Sequence, residues 1–183
     1  MDRIWSHPDI RSEADFRSKM STYKKVMLDP IWVSFVDAKA YDGLDPQELN
    51  ALVSGFREEL LRALVGRYPV VNHPGPGVLR LSIGLTGVES PNRILATTST
   101  VLPVGIGISA VSKLISGEHT NVGGASMELA ASDSVTGVSL FAAIDRHGGE
   151  KNLKNITDPL NGAKVAFKWW ADRLRVTMDK IRG

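Results

Sequence analysis

The chain has 183 residues, of which 43% are hydrophobic, and this suits one globular domain with a core of its own. Its 22 Lys and Arg residues nearly balance 20 Asp and Glu residues, which argues against a dedicated nucleic-acid binder because such proteins cluster far more positive charge. It contains no cysteine, and this excludes disulfides, thiolate metal sites and cysteine nucleophiles.

Hydropathy along the chain bears on its compartment. No apolar run reaches the roughly 18 residues that a membrane-spanning helix needs, since proline, glycine and serine interrupt residues 101–115. Residues 1–5 lack the apolar core of a secretory signal. The sequence therefore leaves open a cytoplasmic protein and one whose leader has been removed.

The first 50 residues divide into a polar part and the start of a domain. Residues 1–22 are polar and mixed in charge, and we expect a tail or tether with little helix, followed by a single domain over 23–183. The apolar residues 26–28 and 31–36 predict strands on either side of Asp29 and Pro30. Because Pro30 lacks an amide donor, it should lie at an edge, a bulge or a strand start.

A helix is predicted after this strand region. Asp45 can cap it, Pro46 suits the first helical position, and Glu48 completes a capping box. One apolar stripe follows at helical spacing, formed by Leu49, Leu52, Val53, Phe56, Leu60 and Leu64. Gly66 should end the helix, whose apolar stripe predicts packing on the core.

The clearest strand of the sequence follows a double Pro-Gly turn at residues 74–77. Strict alternation after the turn places Leu79, Leu81, Ile83 and Leu85 on one face and polar or small residues on the other. This pattern predicts a half-buried strand.

The second half of the chain predicts more strands and a last helix. Residues 93–102, 125–131 and 138–146 have strand character, and residues 133–137 form a hairpin turn. The glycine-rich residues 104–117 fit a short helix or an ordered loop. The last helix has a stripe from Ala163 to Ile181, and Val165 and Trp169 widen it enough to predict their burial as well.

These elements predict an α+β fold. We expect a single mixed, mostly antiparallel sheet covered by two main helices, in the order strand, helix, strands, helix.

No pattern for catalysis, a cofactor or a metal ion is found. The four histidines have no metal-ligand spacing, and no Gly-x-Ser-x-Gly elbow occurs. A dispersed triad of Ser109, Asp133 and His119 or His147 stays open because triads are defined by geometry. We expect Asp145 to be a solvated strand-end residue, and we expect no enzyme activity and no cofactor.

Two surfaces are candidates for interaction. Residues 101–115 carry more apolar side chain than a connection between strands needs, including Ile106, Ile108, Val111 and Leu114. These residues could support self-association or docking on another envelope protein, or could be buried in the domain's own core. Lys164 and Lys168 lie on the basic last helix, which fits either a solvated face or contact with an acidic partner or an anionic surface.

Several short segments resemble a bacterial family of envelope lipoproteins without assigned function, domain-of-unknown-function family 3313. They occur in the same order, at residues 23–30, 43–46, 56–61, 74–81, 101–103, 123–128, 133–137 and 145–148 and in the tryptophan-bearing last helix. The resemblance implies a lipid-anchored protein that faces the periplasm. This sequence has no acylated cysteine, so the anchor is either outside it or absent.

Together these observations predict a non-enzymatic protein of the cell envelope that acts through protein contacts or as a structural accessory. A small-molecule or glycan binder is an alternative, which a deep pocket walled by Trp32, Trp169 or Tyr68 would favour. A hydrolase with a dispersed active site also stays open, as does a cytoplasmic location.

Overall fold

The computed structural model of the protein describes residues 2–35, 46–86, 100–101, 124–148 and 161–182. Within these ranges the elements are, in chain order, β1 (Arg3–Ser6), α1 (Glu13–Met20), β2 (Lys25–Leu28), β3 (Trp32–Phe35), α2 (Pro46–Leu64), β4 (Val78–Thr86), β5 (Thr100–Val101), β6 (Gly124–Asp133), β7 (Ser139–Gly148) and α3 (Asn161–Arg182). The α+β prediction is confirmed.

The described strands form one mixed sheet in the order β1-β7-β6-β4-β3-β5, with β2 also paired to β4. The pairs β1–β7, β7–β6, β6–β4 and β3–β5 are antiparallel. Among the described strands, the parallel pairs are β2–β4 and β3–β4. The sheet is therefore mostly antiparallel, as predicted.

A bulge separates β2 from β3 at Asp29 and Pro30. Leu28 pairs with Leu81, but Trp32 pairs with Gly84, so β2–β3 has one more residue than β4 over this stretch. The Asp29 carboxylate accepts from Arg80 Nε at 2.8 and 3.0 Å and from the Ser82 hydroxyl. The bulge confirms the prediction that Pro30 lies at an edge, a bulge or a strand start.

The apolar residues that alternate along β4 are buried on one face of the strand, as predicted. Leu79, Leu81, Ile83 and Leu85 are at most 1% exposed and belong to the core. The opposite face differs from the expectation, because Gly84 and Thr86 are also buried. The Trp32 ring lies across Gly84, so a side chain there would overlap it.

Two helices cover the core face of the sheet. The stripe of α2 buries Leu52, Phe56, Leu60 and Leu64, and the helix ends before Gly66, which has φ 75°. Helix α3 buries Ala166, Phe167, Trp170, Ala171, Leu174 and Met178. The rings of Phe56 and Phe167 stack with centroids 4.4 Å apart, which joins the two helices.

Two residues on the solvent side of α3 are exposed, although we expected them to be buried. Val165 and Trp169 are 56% and 37% exposed, although the sequence pattern predicts their burial. At about 100° per residue, both project away from the face that carries Leu174 and Met178. The buried stripe of α3 is therefore narrower than the apolar stripe in the sequence.

The N-terminal segment also differs from the expectation of a tail. Strand β1 pairs with β7, from Arg3 opposite Ile144 to Ser6 opposite Phe141. Helix α1 is capped by Ser12, whose hydroxyl accepts from the Asp15 amide at 3.1 Å. An edge strand needs only backbone partners, so its polar sequence gave no sign of this pairing.

None of the described helices combines the length and apolar character that crossing a bilayer requires.

Candidate functional site

A cavity of about 460 Å³ lies on the helix side of the sheet, between β1, α1 and the C-terminal half of α3. Its volume falls within the roughly 300–1,000 Å³ that is usual for small-molecule sites. It is the candidate site of the described structure.

The floor of the cavity comes from the edge of the sheet. Leu129, Phe141 and Ala143 are core-facing residues of β6 and β7 that line it. Ile4 and Ser6 lie opposite Ala143 and Phe141 in the strand register, so they share this face of the sheet. Strand β1 therefore extends the floor beyond the helices.

The side walls are apolar and come from two helices. Phe16 of α1 lines one wall and packs edge-to-face against Phe141, with ring centroids 5.6 Å apart. Leu174 and Met178 of α3 line the other wall, one helical turn apart. Ile10 adds to the apolar lining before α1 begins.

The rim is polar and mostly exposed. It carries Arg11, Ser12 and Glu13 at the start of α1, and Arg173 and Thr177 on α3. Glu13 accepts from an Arg17 guanidinium nitrogen at 2.7 Å, and this hydrogen bond, with the charge of Arg17, holds the pKa of Glu13 below its usual value. The rim thus combines two arginines with a carboxylate that is already paired.

The groups around the cavity suit noncovalent binding. Glu13 is the one carboxylate among the described lining residues, and no histidine or lysine lines it. The Ser6 hydroxyl donates to the Ile10 carbonyl at 3.4 Å, and the Ser12 hydroxyl caps α1. Among the described residues, neither serine is paired with a general base, which a nucleophilic hydroxyl requires.

Two hydrogen bonds hold helix α3, which forms one wall of the cavity, against the rest of the domain. The Tyr68 hydroxyl donates to the Met178 carbonyl at 2.6 Å, and the Trp170 indole donates to Asp145 Oδ2 at 2.8 Å. Asp145 is only 3% exposed, which corrects the expectation of a solvated strand-end residue. A buried carboxylate needs donors, and Trp170 is one of them.

Most of the predicted interaction residues lie outside the described part of the chain. Ile106, Ile108, Val111 and Leu114 lie outside the described residues, as do Ser109 and His119 of the proposed triad. The side chains of Lys164 and His147 are likewise outside the described set. Lys168 is exposed on α3, as both interpretations of the basic helix require.

Asp133, the third member of that triad, has a clear structural role in the β6–β7 turn. Its Oδ1 accepts from the backbone amides of Val135 and Thr136 and from the Thr136 hydroxyl, and its Oδ2 accepts from the Tyr23 hydroxyl at 3.0 Å. The Thr136 amide contributes most to lowering the pKa of Asp133. This agrees with the turn role predicted for it.

Metal binding finds no support in the described ranges, where no three His, Asp or Glu side chains are grouped to hold an ion. His73 is exposed in the segment between α2 and β4. His7 accepts from the Asp9 amide through Nδ1 at 3.2 Å.

The three residues whose pocket would have favoured a small-molecule binder do not line this cavity. None of Trp32, Trp169 and Tyr68 lines it: Trp32 covers Gly84, Trp169 is partly exposed and Tyr68 is bonded to α3. The small side chain of Ala143 beside Phe141 was one sign of space at this end of the core. The approach of β1 and α1 to that space could not be seen in the sequence.

The molecule is an α+β domain with a cavity between its sheet and two helices. The chain belongs to the family described as "Protein of unknown function (DUF3313)", which it matches over residues 13–174. The resemblance to domain-of-unknown-function family 3313 is thereby confirmed.

Further comparisons show only distant similarity. A search of curated proteins finds no match. Two solved structures of the PelC dodecamer from Paraburkholderia phytofirmans, one of them a single-substitution variant, are similar over 94% of this chain and 95% of theirs. They are 12% and 11% identical to it, with TM-scores of 0.37 for the variant and 0.38 for the second structure.

Proposed function

We propose that this protein is a non-enzymatic binding protein whose cavity takes the aliphatic part of an amphipathic small molecule. The observation that carries the proposal is the cavity itself, with apolar walls from Phe16, Phe141, Leu174 and Met178 and a charged rim. Such a site buries a chain inside and leaves a polar group at the mouth.

Burial of apolar surface is the driving force in this proposal. Each methylene removed from water contributes about 0.8 kcal/mol, so a chain of several methylenes can offset the loss of translational and rotational freedom. Ile4 adds to this gain, because it is 68% exposed yet belongs to the lining. A bound chain would cover it.

The compartment we propose is the cell envelope, on its periplasmic side. The support is the sequence resemblance to envelope lipoproteins, and an amphipathic ligand suits a protein that works beside membranes. The reading frame upstream of Met1 tests this: a leader that ends in cysteine supports it, and a genuine start at Met1 contradicts it.

A filled cavity is the direct test of the binding function. Thr177 lines the cavity on α3, so Thr177→Trp should fill part of it and weaken binding of decyl maltoside at least tenfold. Val176→Trp is the matched control, since Val176 is 44% exposed and is not among the lining residues. Calorimetric titration below the micelle concentration measures both affinities.

The outcomes distinguish binding in the cavity from binding elsewhere. Binding that Val176→Trp leaves intact and Thr177→Trp abolishes supports the proposal. Equal binding by wild type and Thr177→Trp, or no binding of any decyl amphiphile, contradicts it. Circular dichroism of both variants shows that the helix content is kept.

A second candidate function is attachment to an anionic membrane surface through the outward face of α3. Val165, Trp169 and Val176 are exposed on this face together with the cations Lys168 and Arg173. The Arg173 guanidinium lies 5.1 Å from the centre of the Trp169 ring. Exposed apolar and basic side chains on one helix face are typical of interfacial binding.

Vesicle flotation tests this second candidate. Attachment to vesicles of anionic phospholipid should fall with added salt and disappear in Lys164→Glu/Lys168→Glu, whereas Lys25→Glu, an exposed charge on β2, should leave it intact. Attachment that neither salt nor the double variant changes would contradict it. Attachment to uncharged vesicles at the same level would do so too.

A further inference from the structure

We infer that the ligand of the cavity carries an anionic head group, which Arg11 and Arg173 hold at the rim. The inference rests on the binding function proposed above and specifies the class of ligand. The two arginines come from different elements, the segment before α1 and the middle of α3, and both line the cavity.

Neither rim arginine is neutralised within the described residues. Arg11 Nε donates to the Pro8 carbonyl at 3.4 Å, and Arg173 lies over the Trp169 ring, so the described partners of both are uncharged. An anion at the mouth would therefore gain two guanidinium partners without breaking an ion pair. Guanidinium groups match carboxylate, sulfate and phosphate oxygens with paired hydrogen bonds.

The acidic groups near the rim are already engaged. Glu13 is paired with Arg17, and the charge of Lys180 also lowers the pKa of Glu13. Asp15 accepts from the Arg11 backbone amide at 3.1 Å and so belongs to the start of α1. Among the described lining residues, the cations Arg11 and Arg173 outnumber the carboxylate Glu13, so the field at the mouth favours an anion.

The volume of the cavity favours a single chain. About 460 Å³ is in the lower half of the roughly 300–1,000 Å³ range of small-molecule sites. We therefore commit to a single-chain anionic amphiphile, taken up as a free molecule rather than bound as part of a bilayer.

Three probes with the same decyl chain test the head group. Decanoate is anionic, decyl maltoside is neutral and decyltrimethylammonium is cationic, and calorimetric titration below their micelle concentrations compares them. We expect decanoate to bind at least tenfold tighter than the neutral probe, and the cation to bind weakest.

Variants of the two arginines then assign the preference. Arg11→Gln and Arg173→Gln should each weaken decanoate binding about fivefold and decyl maltoside binding much less. Arg62→Gln is the control, because Arg62 is an exposed arginine of α2 that pairs with Glu59 and does not line the cavity. All three positions are exposed, so the variants should fold.

The binding data distinguish failure of the head-group inference from failure of the cavity function. Equal affinity for the three probes, or decanoate binding that both arginine variants retain, overturns the head-group inference while the cavity function stands. Decanoate binding that depends on the arginines but survives Thr177→Trp contradicts the cavity function and leaves a surface anion site. Attachment to anionic vesicles without uptake of free decanoate assigns the arginines to a bilayer surface and overturns the inference.

Discussion

Trp170 and Asp145 form a buried hydrogen bond that joins the last helix to the sheet. The indole Nε1 donates to Oδ2 at 2.8 Å, and the two residues are 1% and 3% exposed. Because β7 contributes to the floor of the cavity and α3 forms one wall, this bond helps to set the distance between them. The architecture of the core and that of the candidate site are thus connected through one side-chain pair.

Loss of the indole donor should destabilise the fold measurably. We expect Trp170→Phe to lower the free energy of unfolding by about 2–3 kcal/mol, because a buried carboxylate loses a donor and the core loses volume. Trp169→Phe is the neighbouring control at a position that is 37% exposed, and it should cost less than about 1 kcal/mol. Urea unfolding followed by circular dichroism measures both, and equal costs would contradict the importance of the bond.

Two glycine substitutions should have opposite effects. Gly84→Ala places a methyl group against the Trp32 ring, which is buried, so we expect a loss of about 1–3 kcal/mol from overpacking. Gly55→Ala lies within α2 with open space around its position, and should gain about 0.5–1 kcal/mol from helix propensity. Urea midpoints of the two variants give the comparison, and a stabilised Gly84→Ala would rule out the close packing of Trp32.

Local signals in the sequence were sufficient for the main elements. Pro46 and Gly66 bound helix α2 because one suits the first helical turn and the other takes positive φ beyond its end. Leu79 and Leu81 mark the core face of β4 because side chains alternate along a strand. Each of these features depends on neighbours in the chain, and the sequence contains them.

Features that depend on distant residues could not be predicted. The pairing of β1 with β7 uses backbone groups, which every sequence has. The cavity needs Phe16, Phe141 and Met178 to meet at one place, although they are far apart in the chain. The exposure of Val165 and Trp169, by contrast, could have been predicted, because helical periodicity places both away from the face that carries Leu174.

The hydroxyl of Tyr23 should make stability depend on alkaline pH. Burial, and then the hydrogen bond to Asp133, raise the pKa of Tyr23 to about 12. Its unfolded value is about 10, so the stabilisation is complete below that pH and is lost as the pH rises towards 12. Tyr23→Phe should therefore show a flatter decline in urea midpoint than the wild type above about pH 10. Parallel declines would show that Tyr23 titrates normally in the folded protein.

The carboxylate of Asp133 should act in the acidic range with the opposite sign. Its pKa is lowered in the folded protein, so its stabilisation is present above the ordinary value of about 3.9 and is lost as the pH falls through the folded value. We expect Asp133→Asn to cost about 1 kcal/mol near neutral pH and progressively less below about pH 4. Val135→Ala, at an exposed position of the same turn, carries no titratable change and should show a difference from wild type that is constant with pH. Urea unfolding across this range checks both variants, and a difference for Asp133→Asn that stays constant on acidification would mean that its charge does not stabilise the turn.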